Sequence, residues 1–157
     1  MQVKDKVAIV TGGSNGIGAG LCRKLSENGA KAVMVADIDE PGARALAGEI
    51  GGGAFRCDVA KEEDVFKLVR ETEARFGPVD LFFSNAGIMV QGLLDVSNAD
   101  WQRIWEINVM SHIYGARAVI PAMLKRGSGG FVITASAAGL LNQIDSTPYT
   151  TTKHAAV

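Results

Sequence analysis

Tyr149 and Lys153 stand four residues apart, a spacing that on a helix brings phenol and ammonium to one face. An ordinary tyrosine has a pKa near 10, so keeping a phenol ionised at pH 7 costs roughly 4 kcal/mol. A cation about 4 Å away, at an effective dielectric of 20, offsets about that much. Such a pair could exchange protons near neutral pH. A third group, Ser136, follows the apolar run Phe131 to Ala135. Singly, each has a plain reading, since Tyr/Lys pairs at this spacing are common on helix surfaces. Chemistry requires a fold that brings the three together with a redox partner and a substrate.

The N-terminal stretch offers that partner a place. Val7-Ala8-Ile9-Val10 is a continuous apolar run, as expected of a strand covered on both faces of a parallel sheet. It leads directly into Gly12-Gly13-Ser14-Asn15-Gly16-Ile17-Gly18. Glycines let the backbone turn sharply and approach a pyrophosphate, while the next helix points its unpaired N–H groups and positive dipole end at the phosphates. Ile17, Leu21 and Leu25 predict that helix, with a stop at Asn28-Gly29. A phosphate loop for nucleoside triphosphates would need a lysine, and Gly18-Ala19-Gly20 has none. The run Ala32 to Ala36 ends at Asp37, nineteen residues after Gly18. An acid there accepts hydrogen bonds from the adenosine ribose and repels a 2′-phosphate. Asn15 adds no compensating positive charge, so the expected cofactor is NAD rather than NADP. The alternative is that Asp37, beside Asp39 and Glu40, caps the next helix.

The elements that must position these groups alternate. Ala43, Leu46, Ala47 and Ile50 predict a second helix after Glu40-Pro41, closed by Gly51-Gly52-Gly53. Ala54 to Val59 is the expected third strand, with Asp58 near its end. Val65, Leu68, Val69, Thr72 and Phe76 line a third helix, stopped by Gly77-Pro78. Val79 to Ser84 is the fourth strand, followed by Asn85-Ala86-Gly87. Ser97 to Asp100 resembles a capping box that opens one long helix through Trp101, Ile104, Trp105 and Val109, with Pro121 kinking or interrupting it near its end. Phe131 to Ala135 is the fifth strand, and Thr147-Pro148 starts the helix bearing Tyr149 and Lys153. This order demands right-handed crossovers and a parallel sheet, a doubly wound α/β fold, with ligands at the carboxyl edge of its strands.

The 157 residues carry a formal net charge of -1, with 47% hydrophobic and 21% charged residues. That composition fits one globular domain over 1–157. Its dispersed basic residues make nucleic acid and anionic membrane unfavoured partners. No apolar run has the length of a membrane span, and Met1 to Lys6 lacks the apolar stretch of a signal peptide, so a cytoplasmic location is expected. Cys22 and Cys57 read as reduced core residues. His112 and His154 lie far in sequence from each other and from the cysteines, which leaves no metal-ligand cluster.

Taken in order, the motifs resemble the short-chain dehydrogenase/reductase family over the whole chain. Thr11 to Gly18 matches its Thr-Gly-x-x-x-Gly-x-Gly, Asp58-Val59 its Asp-Val, and Asn85-Ala86-Gly87 its Asn-Ala-Gly. Asn108 matches its helix asparagine, Ser136 its serine, and Tyr149 to Lys153 its Tyr-x-x-x-Lys. The resemblance implies a Rossmann-type sheet and an NAD-dependent oxidoreductase that interconverts a secondary alcohol and a ketone. Tyr149 would be the acid/base. Lys153 would favour its ionised form and hold the nicotinamide ribose, and Ser136 would bond the substrate oxygen. Asn108 would shape a helix distortion that seats a relay water. Gly12, Ser14, Asn15, Gly16, Ile17, Gly18 and Asp37 would hold the cofactor, Asp58 and Val59 its adenine, and Asn85, Ala86 and Gly87 would back it. A homodimer or homotetramer, built on the long fourth helix and the Tyr-Lys helix, is implied likewise.

Each role has a duller counterpart: Asn108 between Ile107 and Val109 could be a bonded core amide. Ser136 sits in Ala135-Ser136-Ala137, not in a G-x-S-x-G elbow, so a hydrolase triad is disfavoured. Ile88, Met89, Val90 and residues 139–147 are expected to line an apolar substrate pocket. The family's carboxyl-terminal strands and lid are missing from this chain, and the natural chain is expected to continue past Val157. The alternative function is a dinucleotide-binding module without turnover.

Overall fold

A computed structural model describes residues 2–157. Five strands, β1 (Val7–Thr11), β2 (Ala32–Asp37), β3 (Gly53–Arg56), β4 (Leu81–Ser84) and β5 (Gly130–Ile133), form one parallel sheet in the order β3-β2-β1-β4-β5. The β1/β2 register runs from Val7↔Ala32 to Thr11↔Ala36, and β4 meets β5 through Phe82↔Phe131. Successive connections leave β1 first toward β2 and later toward β4, so the order reverses beside β1. At that reversal the loops diverge and open a crevice.

The helices are α1 (Gly16–Glu27), α2 (Glu40–Ile50), α3 (Glu62–Phe76), α4 (Asn98–Trp105), α5 (Ser111–Arg126) and α6 (Thr147–Ala155). Alternation along β1 sends Ala8 and Val10 into one core with Cys22 and Leu25 of α1 and Leu46 of α2. Ile9 goes to the other, with Leu68 of α3 and Val119 and Met123 of α5. Both cysteines are buried free thiols, and burial pushes each up to about 12. No helix among the described residues is long and apolar enough to cross a membrane.

Several expected boundaries move, each for a visible reason. β3 stops at Arg56 because Asp58 turns the chain toward α3, its Oδ1 accepting from Ala60 N at 3.2 Å. β4 starts at Leu81, not Val79, since Val7 N bonds the Asp80 carboxylate at 2.9 Å. Ile17 is not a core position of α1: it is 68% exposed, and Ala19, Cys22 and Leu25 form the buried face. Ser97 does cap α4, its hydroxyl accepting from Asp100 N at 3.1 Å. The long helix is interrupted not at Pro121, which α5 passes on its way to Arg126, but at Glu106–Met110, a π-helical turn between α4 and α5. Val119 and Met123, flanking Pro121, are both buried in the core, and that packing holds the helix across the lost hydrogen bond.

Candidate active site

At the end of β1 the chain bends through Gly12, with φ +62°, and Gly16, with φ +52°. A Cβ at Gly16 would meet nothing within 4 Å, whereas one at Gly18 would overlap the Gly12 carbonyl oxygen. The first glycine position is thus open to a ligand, and the second lets α1 sit against the turn. Asn15 occupies the N-cap of α1 without a side-chain capping bond. The first-turn N–H groups are therefore left to an incoming anion. Asp37 closes the turn from the β2 side: its Oδ2 accepts from Ser14 N and its Oδ1 from Asp39 N, each at 3.0 Å. Asp39 is the residue that caps α2, accepting from Gly42 N at 3.2 Å.

A cavity of about 580 Å³ runs along the carboxyl edge of the sheet, within the range of small-molecule sites. Gly12, Asn15, Ile17, Gly18 and Asp37 line it from the glycine turn, and Asp58 and Val59 from beyond β3. Asn85, Ala86 and Gly87 form its floor after β4, and Ser136, Tyr149 and Lys153 line it from β5 and α6. Ser14, Gly16 and Asn108 stand outside this lining. Ile88 and Met89 face the cavity, but Val90 and residues 139–147 do not. That segment is tied to the chain after β4 instead, by Ser146 Oγ donating to Val90 O at 2.6 Å and Thr147 N to Gly92 O at 3.1 Å.

The floor is polar and internally bonded. Thr11 Oγ1 accepts from Asn85 N and Ala86 N, and Asn85 Nδ2 donates to Thr11 O and Gly12 O. Thr134 Oγ1 donates to Asn85 Oδ1 at 2.9 Å, and the Thr134 carbonyl accepts from Lys153 Nζ at 3.2 Å. One hydrogen-bonded chain thus links the glycine turn to the lysine. Lys153 is buried, and desolvation pushes its ammonium below the usual lysine range. Its Nζ sits 5.8 Å from the centroid of the Tyr149 ring, a cation over an aromatic face. Ser136 Oγ accepts from Ala138 N at 3.1 Å, which leaves its hydroxyl hydrogen to donate to a ligand.

Asn108 is fully buried behind the floor. Its Oδ1 accepts from Ile88 N at 2.8 Å, and its Nδ2 donates to Ile88 O at 2.9 Å and Thr152 Oγ1 at 3.2 Å. The asparagine thus acts as a short strand for Ile88 and joins α6 to the π-helical turn that contains it. Sequence reasoning missed Thr134, whose part is played mainly by a carbonyl. It also missed Arg103 and Ile107, cavity residues one turn apart on the helix, whose i, i+4 spacing was the available signal. His112 was noted only as an unclustered histidine, yet it is buried with Nδ1 2.6 Å from Ser84 Oγ.

Comparison with known proteins agrees with this fold. The family model for short chain dehydrogenases matches residues 6–157. The chain is 41% identical over 161 residues to a 2,5-dichloro-2,5-cyclohexadiene-1,4-diol dehydrogenase of Sphingobium indicum, covering 99% of this chain and 64% of the relative. It is 39% identical over 142 residues to tropinone reductase-like 1 of Erythroxylum coca, covering 86% and 52%. Among solved structures it is similar to a short chain dehydrogenase/reductase from Burkholderia phymatum in complex with NAD, with TM-score 0.94, 32% identity and coverage of 99% and 57%. The chain therefore spans about half to two thirds of the length of these proteins. A match over nearly all of its residues, at these identities, means that the chain belongs to the short chain dehydrogenase family of oxidoreductases.

Proposed function

We propose that this chain carries the NAD site and proton-transfer group of an oxidoreductase that interconverts a secondary alcohol and a ketone. The observation that carries the reading is convergence: Ser136, Tyr149 and Lys153 line the same cavity as Asp37 and the glycine turn. The residues fit a dinucleotide, with open space at Gly16 for a phosphate, uncapped N–H groups on α1, and a carboxylate at the end of β2. NAD is favoured over NADP because Asp37 would repel a 2′-phosphate. Bound nicotinamide supplies the hydride acceptor or donor. Tyr149 takes the proton of a substrate hydroxyl, or returns one to a carbonyl oxygen, and Ser136 donates a hydrogen bond to that same oxygen. Lys153 would reach the nicotinamide ribose, Asp58 and Val59 would flank the adenine, and Asn108 holds the floor in register. A cytoplasmic location and a homodimer or homotetramer belong to the same reading.

The test is absorbance at the reduced-nicotinamide band after mixing the protein with NAD and a panel of secondary alcohols, alongside calorimetric titration of NAD. Turnover of at least one alcohol is expected. Tight NAD binding without turnover would favour a dinucleotide-binding module.

A further inference from the structure

Lys153 and Arg103 are the two cations that line the cavity. Arg103, on α4, has no role in the chemistry proposed above; it is exposed, and no carboxylate pairs with it among the described residues. The acids nearest it along the helix are engaged elsewhere. Asp100 Oδ2 accepts from Ser97 Oγ at 2.8 Å, Glu106 Oε1 from Gln102 Nε2 at 2.6 Å, and Glu106 Oε2 from the Tyr114 hydroxyl at 3.1 Å. The acids of the cavity are engaged too, Asp37 by backbone N–H groups and Asp58 by Lys61, whose Nζ is 3.6 Å away. Arg103 thus brings an unspent guanidinium to the rim of a ligand cavity.

The helix fixes which end of the cavity it serves. Asn108 faces α6, where Thr152 Oγ1 accepts from its Nδ2. One residue earlier, about a quarter-turn around the axis, Ile107 packs against the core cluster that contains Cys57 and Val59. Arg103, four residues before Ile107, continues that side of the helix. Cys57, Asp58, Val59 and Ile107 all line the cavity, so Arg103 stands at the end beyond β3. Ser136 and Tyr149 belong to the opposite end, since β3 and β5 are the two edges of the sheet. Phosphate is provided for separately, by the free N–H groups of α1 and the open space at Gly16. We propose that Arg103 is a cofactor-binding residue for the adenine, its guanidinium laid against the ring on the solvent side while Val59 and Ile107 form the wall on the core side. A planar, weakly hydrated cation stacks on an aromatic face and keeps its N–H groups in water. The inference rests on the dinucleotide reading above and adds α4 to the elements that hold the cofactor.

The test titrates the 157-residue chain with NAD by calorimetry, and with adenosine, AMP and nicotinamide mononucleotide by NMR chemical shifts. Arg103→Ala should weaken NAD, AMP and adenosine by about tenfold each and leave nicotinamide mononucleotide within about twofold of wild type. Arg103→Lys keeps the charge but not the plane, so it should bind adenosine as weakly as Arg103→Ala does. A loss confined to NAD and AMP and restored in Arg103→Lys would make Arg103 a phosphate ligand and overturn the proposal. An equal loss for nicotinamide mononucleotide, or wild-type affinity for adenosine in Arg103→Ala, overturns it as well. Thermal unfolding of Arg103→Ala should match wild type because the side chain is exposed; if that variant does not fold, wild-type adenosine affinity in Arg103→Lys overturns the stacking. A wild type that binds neither NAD nor AMP sinks the dinucleotide reading and this one with it. Wild-type binding that is indifferent to Arg103→Ala sinks this one alone, and NAD binding without alcohol turnover sinks only the oxidoreductase reading.

Discussion

The Asp37 carboxylate has both oxygens engaged by backbone N–H groups of Ser14 and Asp39, so its charge and its bonding are separable by substitution. Asp37→Asn keeps one acceptor for the glycine turn and removes the repulsion toward a 2′-phosphate. Calorimetric titration should show the NADP-to-NAD affinity ratio rise at least about tenfold, or 1.4 kcal/mol; a wild-type preference for NADP would overturn the cofactor choice. Tyr149→Phe keeps the ring beneath the Lys153 ammonium but removes the proton it would exchange. NAD affinity should stay within about twofold while turnover falls by at least about 100-fold, and retained turnover would remove Tyr149 from the chemistry. His112 makes a prediction of a different kind. Its folded pKa, about 4, lies below the ordinary value of 6.5. The unfolded chain therefore binds that proton more readily, and stability present above pH 6.5 is lost as pH falls toward 4. The loss is about 3 kcal/mol. Urea denaturation at pH 7 and pH 4.5 should show a smaller difference in His112→Gln than in the wild type. An equal difference would mean that the imidazole is not held neutral.

At the scale of elements, the π-helical turn Glu106–Met110 is where local helix geometry yields to the site. After β4 ends, Ile88 has no strand beside it, and the Asn108 amide takes both of its backbone groups. Asn108→Leu preserves size but strands the Ile88 N–H and carbonyl, so it should cost about 2–5 kcal/mol in urea denaturation and speed amide exchange at Ile88. A loss under about 1 kcal/mol would make the turn a packing feature instead. The family resemblance implied a helix distortion at Asn108 and the π-helical turn falls there, whereas periodicity alone shows nothing, because an asparagine between Ile107 and Val109 scans as one polar position in a helix. Pro121 misled in the opposite sense: its missing N–H is local, whereas the burial of Val119 and Met123 that carries α5 past it is tertiary. Parallel order was legible because strands covered on both faces, such as Val7 to Val10, read as unbroken apolar runs. Their ends were not, because Asp58 and Asp80 replace backbone partners with carboxylates. Of the site, the cavity residues carried by motifs were legible. Thr134 and His112 were not, since one acts through a carbonyl and the other through a ring nitrogen bonded to β4, partners that no sequence spacing reveals.

For the whole molecule, the sheet order leaves β5 at an edge, paired among the described residues with β4 on one side. Val132 and Ile133 on that strand are 37% and 39% exposed, and Ile144, after it, is 82% exposed. An edge with free backbone donors and acceptors beside apolar side chains is a template for pairing with another chain. Charge does little to prevent it, since a net charge of -1 provides weak mutual repulsion. The 157-residue chain should therefore associate in a concentration-dependent way through β5. Lysine is the residue that edge strands use against such pairing, because a second strand would have to desolvate its ammonium. Sedimentation velocity should accordingly show larger species in the wild type that shift toward monomer in Val132→Lys, while thermal unfolding of the variant stays close to wild type because the position is partly solvated already. If association survives in Val132→Lys unchanged, it runs through another face; the exposed Ile113 on α5 is then the position to substitute. A wild type that sediments as monomer at every concentration would show that the β5 edge is already protected.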